Sequence, residues 1–146
     1  MHISTQAFHN GETIPKKYTC DGENINPPLS IEGVPVSAKK LALIVDDPDA
    51  PAGTWIHWTL WNIDPATKEI GEGTLPPGAV EGKTSFGTVG YGGPCPHKGT
   101  HRYFFKLYAL DTPLNLSTTS EVFNIEEAMR GHILADARYI GIYSRE

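Results

Sequence analysis

Five apolar residues, Leu41-Ala42-Leu43-Ile44-Val45, follow one another without a polar interruption. A strand with one solvated face alternates apolar and polar side chains. An unbroken apolar run of this length is therefore a strand covered on both faces, central in its sheet. Such a strand needs a neighbour on each side and a layer on each face. Two longer segments supply the neighbours. Trp55 to Ile63 places Trp55, His57, Thr59, Trp61 and Ile63 on one face and Ile56, Trp58, Leu60 and Asn62 on the other, so it also reads as internal. His101 to Leu110 alternates His101, Tyr103, Phe105, Leu107 and Ala109 against Arg102, Phe104, Lys106, Tyr108 and Leu110.

Shorter strands are expected at Ile3–Phe8, Leu29–Ile31 and Tyr139–Tyr143. Asn124-Ile125-Glu126-Glu127 reads as an N-cap followed by a capping-box acid, starting a helix that runs to about Leu134. The 15 glycines and 12 prolines punctuate the chain at short intervals. Residues 64–100 are mostly irregular, because Pro76-Pro77-Gly78 and Tyr91-Gly92-Gly93-Pro94-Cys95-Pro96 suit neither a helix nor a central strand. The fold class that follows is mainly β, an antiparallel sandwich-like arrangement with one clear helix. The 146 residues make one domain, 1–146.

Charge narrows the function. The net charge is −5, and only the pairs Lys16–Lys17 and Lys39–Lys40 place two basic residues side by side, so nucleic acid is not the expected partner. No 18-residue apolar run is present, so the chain is not expected to span a membrane. The first residues have neither the basic start nor the apolar stretch of a secretory signal, which makes the cytoplasm the expected location. The two cysteines, Cys20 and Cys95, are too few for a disulfide scaffold and too far apart for a zinc motif; a reducing cytoplasm would keep them as thiols.

Chemistry concentrates at the strand ends. Asp46-Asp47-Pro48-Asp49-Ala50-Pro51 follows directly on the buried strand, and its prolines hold the carboxylates rigidly. Asp49 reads as a brace for this turn, whereas Asp47 is either a brace or a ligand contact. His57, read by itself, is a core histidine bonded to a backbone carbonyl. His101 and Tyr103 share a face and stand at the end of an apolar stripe, as at the mouth of a cavity. Arg102 points the other way, toward an acid such as Asp49 or Glu127. The glycine-rich loop 90–99 leads into His101, and backbone N–H groups in such loops form concave anion sites.

These residues carry a resemblance. Asp47-Pro48-Asp49-Ala50-Pro51, His57-Trp58, Gly93-Pro94 and Gly99-Thr100-His101-Arg102-Tyr103 are similar to the two signature regions of the phosphatidylethanolamine-binding protein family, which includes Raf kinase inhibitor protein. Tyr18 to Asn24, Tyr91 to Pro96, Leu107 to Asp111 and Gly131 to Leu134 resemble its short bacterial and archaeal branch, and the match covers nearly the whole chain. The resemblance implies a large central antiparallel sheet, a smaller sheet and short helices. It implies a pocket for phosphate, phospholipid head groups or similar anions, lined by Asp47, His57, His101 and Tyr103, with Gly93 N–H and Pro94 at its rim. It also implies a cis Ala50–Pro51 bond, a homodimer, and a regulatory role toward a kinase or protease. Ile31 and His97 depart from the branch pattern at positions expected to be peripheral to the pocket. The sequence ends at Glu146 soon after Tyr143, so the C-terminal helix of the animal members is not expected here.

The expected activity is binding without catalysis, cofactor or metal. His57, His101, Tyr103 and glycine amides would donate to a phosphoryl group, with Asp47 orienting an imidazole. On that basis phosphate affinity should rise from about pH 8 toward pH 6 as histidine gains its proton. The rival readings are a hydrolase or transferase built on the same His/Asp/Tyr cluster, and a zinc site at Asp47, His57 and His101.

Overall fold

In the computed structural model, which describes residues 1–145, the apolar run lies at the centre of a five-stranded sheet. The strands are β1 (His2–Ser4), β2 (Leu29–Glu32), β3 (Lys40–Asp47), β4 (Trp55–Ile63), β5 (Glu69–Ile70), β6 (Val80–Glu81), β7 (His101–Leu110) and β8 (Ile133–Tyr143). A single α-helix, α1 (Val122–Met129), precedes β8. The large sheet has the order β6-β4-β3-β7-β8 and the small one β1-β2-β5, and all pairings within them are antiparallel.

Burial follows the alternation of β3. Leu41, Leu43 and Val45 face the small sheet and pack with Ile3, Leu29, Ile31 and Ile70, together with Phe105 and Leu107 of β7. Ala42 and Ile44 face the other way and pack with Trp61, Leu110 and the α1 residues Ile125 and Met129. The result is three layers, small sheet, large sheet and helix, with β3 covered on both faces as the apolar run requires. Ile31, one of the two departures from the branch pattern, is a core residue.

Strict alternation fails in β4. Asp46 pairs with Ile56 and Val45 with Trp58, so His57 is an inserted residue, a β-bulge. A second shift lies between the Leu43–Leu60 and Leu41–Ile63 pairs, at Asn62, whose φ is 57°. The Asn62 side chain there donates to Leu114 O and accepts from Leu114 N–H, at 2.8 and 2.7 Å. The bulges change the faces read from the sequence. Trp58, Leu60 and Ile63 belong to the core under the small sheet, Trp61 belongs to the helix side, and His57 turns to Tyr103 of β7.

The C-terminal region also differs from expectation. Glu121 is the N-cap of α1, and Asn124 is its third helical residue, donating no cap but closing the capping box by accepting from Glu121 N–H at 2.9 Å. The helix ends at Met129, and Gly131, with φ of 79°, turns the chain into β8. Leu134 is therefore in a strand. Residues 10–14 run beside the end of β8, and Phe8 and Ile14 pack over Gly141, where a β-carbon would stand 2.7 Å from Phe8.

Candidate functional site

Three strand ends converge. In the large sheet β3 lies between β4 and β7, so Asp47 at the end of β3, Trp55 and His57 at the start of β4, and His101 and Tyr103 at the start of β7 share one end of one face. They line a cavity of about 410 Å³, joined by Ala50, Pro51, Ala52, Phe86, Cys95, Pro96 and His97. Four of the residues proposed from the sequence, Asp47, His57, His101 and Tyr103, are thus brought together.

The Asp47 carboxylate is fully engaged. Its Oδ1 accepts from Asp49 N–H at 2.8 Å, and its Oδ2 faces His101 Nδ1 at 2.7 Å. Asp47 is thus both the brace of the 47–51 turn and the group that orients an imidazole. The other His101 nitrogen, Nε2, faces Lys98 O at 3.1 Å. Both ring nitrogens meet oxygen acceptors, so His101 offers no idle N–H to the cavity, contrary to the donor set expected from the sequence. Asp49 is drawn away. The guanidinium of Arg102 binds both its oxygens at 2.8–2.9 Å and holds its carboxyl down at about 2. Its Oδ2 also accepts from Arg102 N–H at 2.9 Å, tying the turn to the start of β7.

His57 is both a bonded core histidine and a cavity residue. Its Nδ1 lies 2.6 Å from Gly92 O and donates to it, while Gly92 N–H donates to His57 O at 2.9 Å. That fixes the neutral tautomer with the Nε2 lone pair free. Burial pushes the imidazole pKa below its ordinary value, outweighing the carbonyl of Gly92 and the charges of Asp47 and Asp46. The expected gain of charge between pH 8 and 6 therefore does not come from His57. Its ring stands edge-on to Tyr103 and Phe86, with centroids 5.2 and 5.3 Å away.

Tyr103 is the group with unused capacity. It is 1% exposed, and its hydroxyl has no hydrogen-bond partner among the described residues. Burial, and then the charges of Asp47 and Asp49, push its pKa up, so the hydroxyl remains an O–H donor. A buried donor without a partner costs about 1–3 kcal/mol, a cost that a bound acceptor removes.

Gly93 and Pro94 do not join this lining. Gly93 N–H donates to Asn24 Oδ1 at 2.8 Å, and Pro94 O accepts from Cys20 N–H at 3.1 Å. Both anchor the site loop to the 18–24 loop. A β-carbon on Gly93 would meet Tyr18 O and stand 2.8 Å from Thr19 Cα, so this glycine serves close backbone approach. The same junction carries a Cys20–Cys95 disulfide with Cα atoms 5.4 Å apart, in place of the expected thiols. The sequence separation of 75 between the two cysteines hid this pairing, which exists because the two loops pack together. Ala50–Pro51 is trans, since no cis peptide bond is present among the described residues.

Among the cavity residues, the sequence reasoning gave no site role to Trp55, Phe86, Pro96 or His97. Trp55 had a signal, because it opens β4 opposite Asp47. Phe86 had none, lying among turns of the irregular segment. Pro96 and His97 belong to the glycine-rich loop, and His97 lines the cavity where it was expected to be peripheral. Among the described residues no group of three or more His, Cys, Asp or Glu is placed to hold a metal ion, and no helix is long and apolar enough to cross a membrane.

Comparison with known proteins agrees with this geometry. Residues 4–144 match the family model described as phosphatidylethanolamine-binding protein. A UPF0098 protein of Methanothermobacter thermautotrophicus is 53% identical, with 99% of each chain covered. A crystal structure of a putative phosphatidylethanolamine-binding protein homolog from Chlamydia trachomatis superposes with a TM-score of 0.96 at 43% identity, covering 99% of this chain and 97% of the other. YbcL of E. coli, described as a member of the mammalian PEBP family, superposes with a TM-score of 0.93 at 30% identity, covering 99% and 98%. With the fold, the strand-end cluster and these matches in agreement, the chain belongs to the phosphatidylethanolamine-binding protein family.

Proposed function

We propose that this protein binds small molecules carrying a phosphoryl or comparable anionic oxygen group in the cavity at the ends of β3, β4 and β7, and releases them unchanged. The observation that carries this reading is the Tyr103 hydroxyl, a buried donor with no partner among the described residues, on a side chain that lines the cavity. The ligand oxygen accepts from it and replaces Lys98 O as the acceptor at His101 Nε2, which Asp47 holds in position. A hydrogen bond to a charged acceptor contributes about 1.5–3 kcal/mol, enough to orient a small anion.

Binding is favoured over turnover because the cluster has no Ser, Thr or free thiol nucleophile. No Ser or Thr is among the cavity residues, and Cys95 is held in its disulfide. Asp47 spends both oxygens on internal partners. Calorimetric titration with inorganic phosphate and with O-phosphoethanolamine tests the proposal. Saturable binding that weakens in Tyr103→Phe supports it, and binding unaffected by that change refutes it. Release of phosphate from a generic phosphoester, lost in His101→Ala, would replace it with the enzyme reading.

A further inference from the structure

One wall of the cavity is held differently from the rest. Asp47, Trp55, His57, His101 and Tyr103 stand on strands of the large sheet. Cys95, Pro96 and His97 also line the cavity, but residues 95–100 make no backbone–backbone hydrogen bond among the described residues. His97 to Thr100 are exposed, and a β-carbon on Gly99 would meet open space. The loop across the disulfide is the opposite case. Thr19 N–H and Oγ1 both donate to Lys16 O, and Asp21 N–H donates to Thr19 Oγ1. The Asp21 carboxylate accepts from Tyr143 and Arg145. Cys20 is therefore a fixed post, and Cys95 is the point at which a weakly held wall is tied to it. Between Pro94, whose carbonyl accepts from Cys20 N–H, and Lys98, the wall rests on the disulfide and on Pro96, its one buried residue.

We propose that the Cys20–Cys95 bond is a redox-operated tether: its reduction by a dithiol frees residues 95–100 and weakens binding in the cavity. This rests on the binding reading above and adds its regulation. Both cysteines are partly exposed, within reach of a dithiol. A reductant thiolate attacks one sulfur, the S–S bond breaks and a mixed disulfide forms. The second reductant thiol resolves it, leaving Cys20 and Cys95 as two thiols and the reductant as its own disulfide, a transfer of two electrons and two protons. A segment with few bonds then opens locally while the sheet stays folded. Apparent affinity falls with the fraction of molecules that keep the wall in place. Freeing the loop has a competing effect, because Lys98 O occupies His101 Nε2. That contact spans three residues next to β7 and does not depend on the tether, so loss of the wall decides the direction.

The experiment compares oxidised wild type, wild type reduced with dithiothreitol, and Cys20→Ser in the full chain. Cys20 is not a cavity residue, so this change opens the tether and leaves the lining intact. Limited trypsin digestion reads the loop through cleavage after the exposed Lys98. Calorimetry with inorganic phosphate reads the cavity. Reduction and Cys20→Ser should each speed cleavage at Lys98 at least about tenfold and weaken phosphate at least about fivefold. Reoxidation should restore wild type, and dithiothreitol should change nothing further in Cys20→Ser. Unchanged phosphate affinity on reduction overturns the switch while the binding reading stands. Raised affinity overturns its direction and makes the loop a cover over His101. Cleavage spread to Lys106 within β7 shows global unfolding and overturns a local tether. No phosphate binding by the oxidised protein removes both the switch and the reading beneath it.

Discussion

Tyr103→Phe is predicted to move stability and affinity in opposite directions. The change removes one oxygen from a side chain that is 1% exposed and leaves the ring in its contact with His57, 5.2 Å away. The free protein loses no protein hydrogen bond, because the hydroxyl has none. It sheds an unsatisfied buried group, which contributes between zero, if a water already serves the hydroxyl, and about 2 kcal/mol of added stability. In a chain of this size that is a melting temperature unchanged or raised by up to roughly 6 °C. The bound state loses a charge-assisted bond of about 1.5–3 kcal/mol, so affinity for inorganic phosphate should fall by roughly 10- to 150-fold. Differential scanning calorimetry and isothermal titration on the same samples read both numbers. A melting temperature lowered by more than about 3 °C would show that the hydroxyl has a structural partner, and unchanged phosphate affinity would show that it is not the ligand donor. Either result refutes the reasoning.

Other residues make separate predictions. Asp47→Ala removes the acceptor at His101 Nδ1 and the cap on Asp49 N–H, so it should cost about 1–3 kcal/mol in chemical denaturation; no measurable loss contradicts the positioning role of this carboxylate. The double change Cys20→Ser and Cys95→Ser opens a closure of 75 residues and should lower stability by about 2–4 kcal/mol under oxidising conditions, while added reductant should lower wild-type stability to a similar level; no difference between them would argue against the disulfide. His57 should titrate below pH 6.5 in imidazole NMR, with Nδ1 as its protonated nitrogen. Because its folded pKa is depressed, the unfolded chain takes up the proton first, and the stability that neutral His57 contributes is present above about pH 6.5 and lost as pH falls toward the folded value. Titration of His57 above 6.5 would contradict the dominance of burial.

How much of this was legible in the sequence depends on how local each signal is. The central strand was readable because covering both faces needs an apolar residue at every position, and Leu41 to Val45 meets that need. β4 and β7 were readable to the residue at both ends, Trp55–Ile63 and His101–Leu110. The face of His57 was misread because a β-bulge is set by pairing with another strand, and neither Ile56 nor Trp58 announces it. β8 was shortened to its last residues because its first half, Ile133 to Arg138, is partly exposed and carries Asp136 and Arg138. The four polar side chains of the cluster were legible through their positions at strand ends and through the family resemblance. Their bonding was not. That Asp47 and His101 are spent on each other, and that Gly93 N–H belongs to Asn24, are consequences of loop packing. Phe86 could not have been chosen at all without the fold that carries it to the cavity mouth.

The most direct measurement is a crystal structure of the protein soaked with a phosphate monoester. The account predicts an anionic oxygen within about 2.5–3.0 Å of Tyr103 Oη, with the Asp47–His101 pair intact beneath it. Density for the anion elsewhere on the surface, with Tyr103 Oη still unpartnered or bonded only to water, would contradict it.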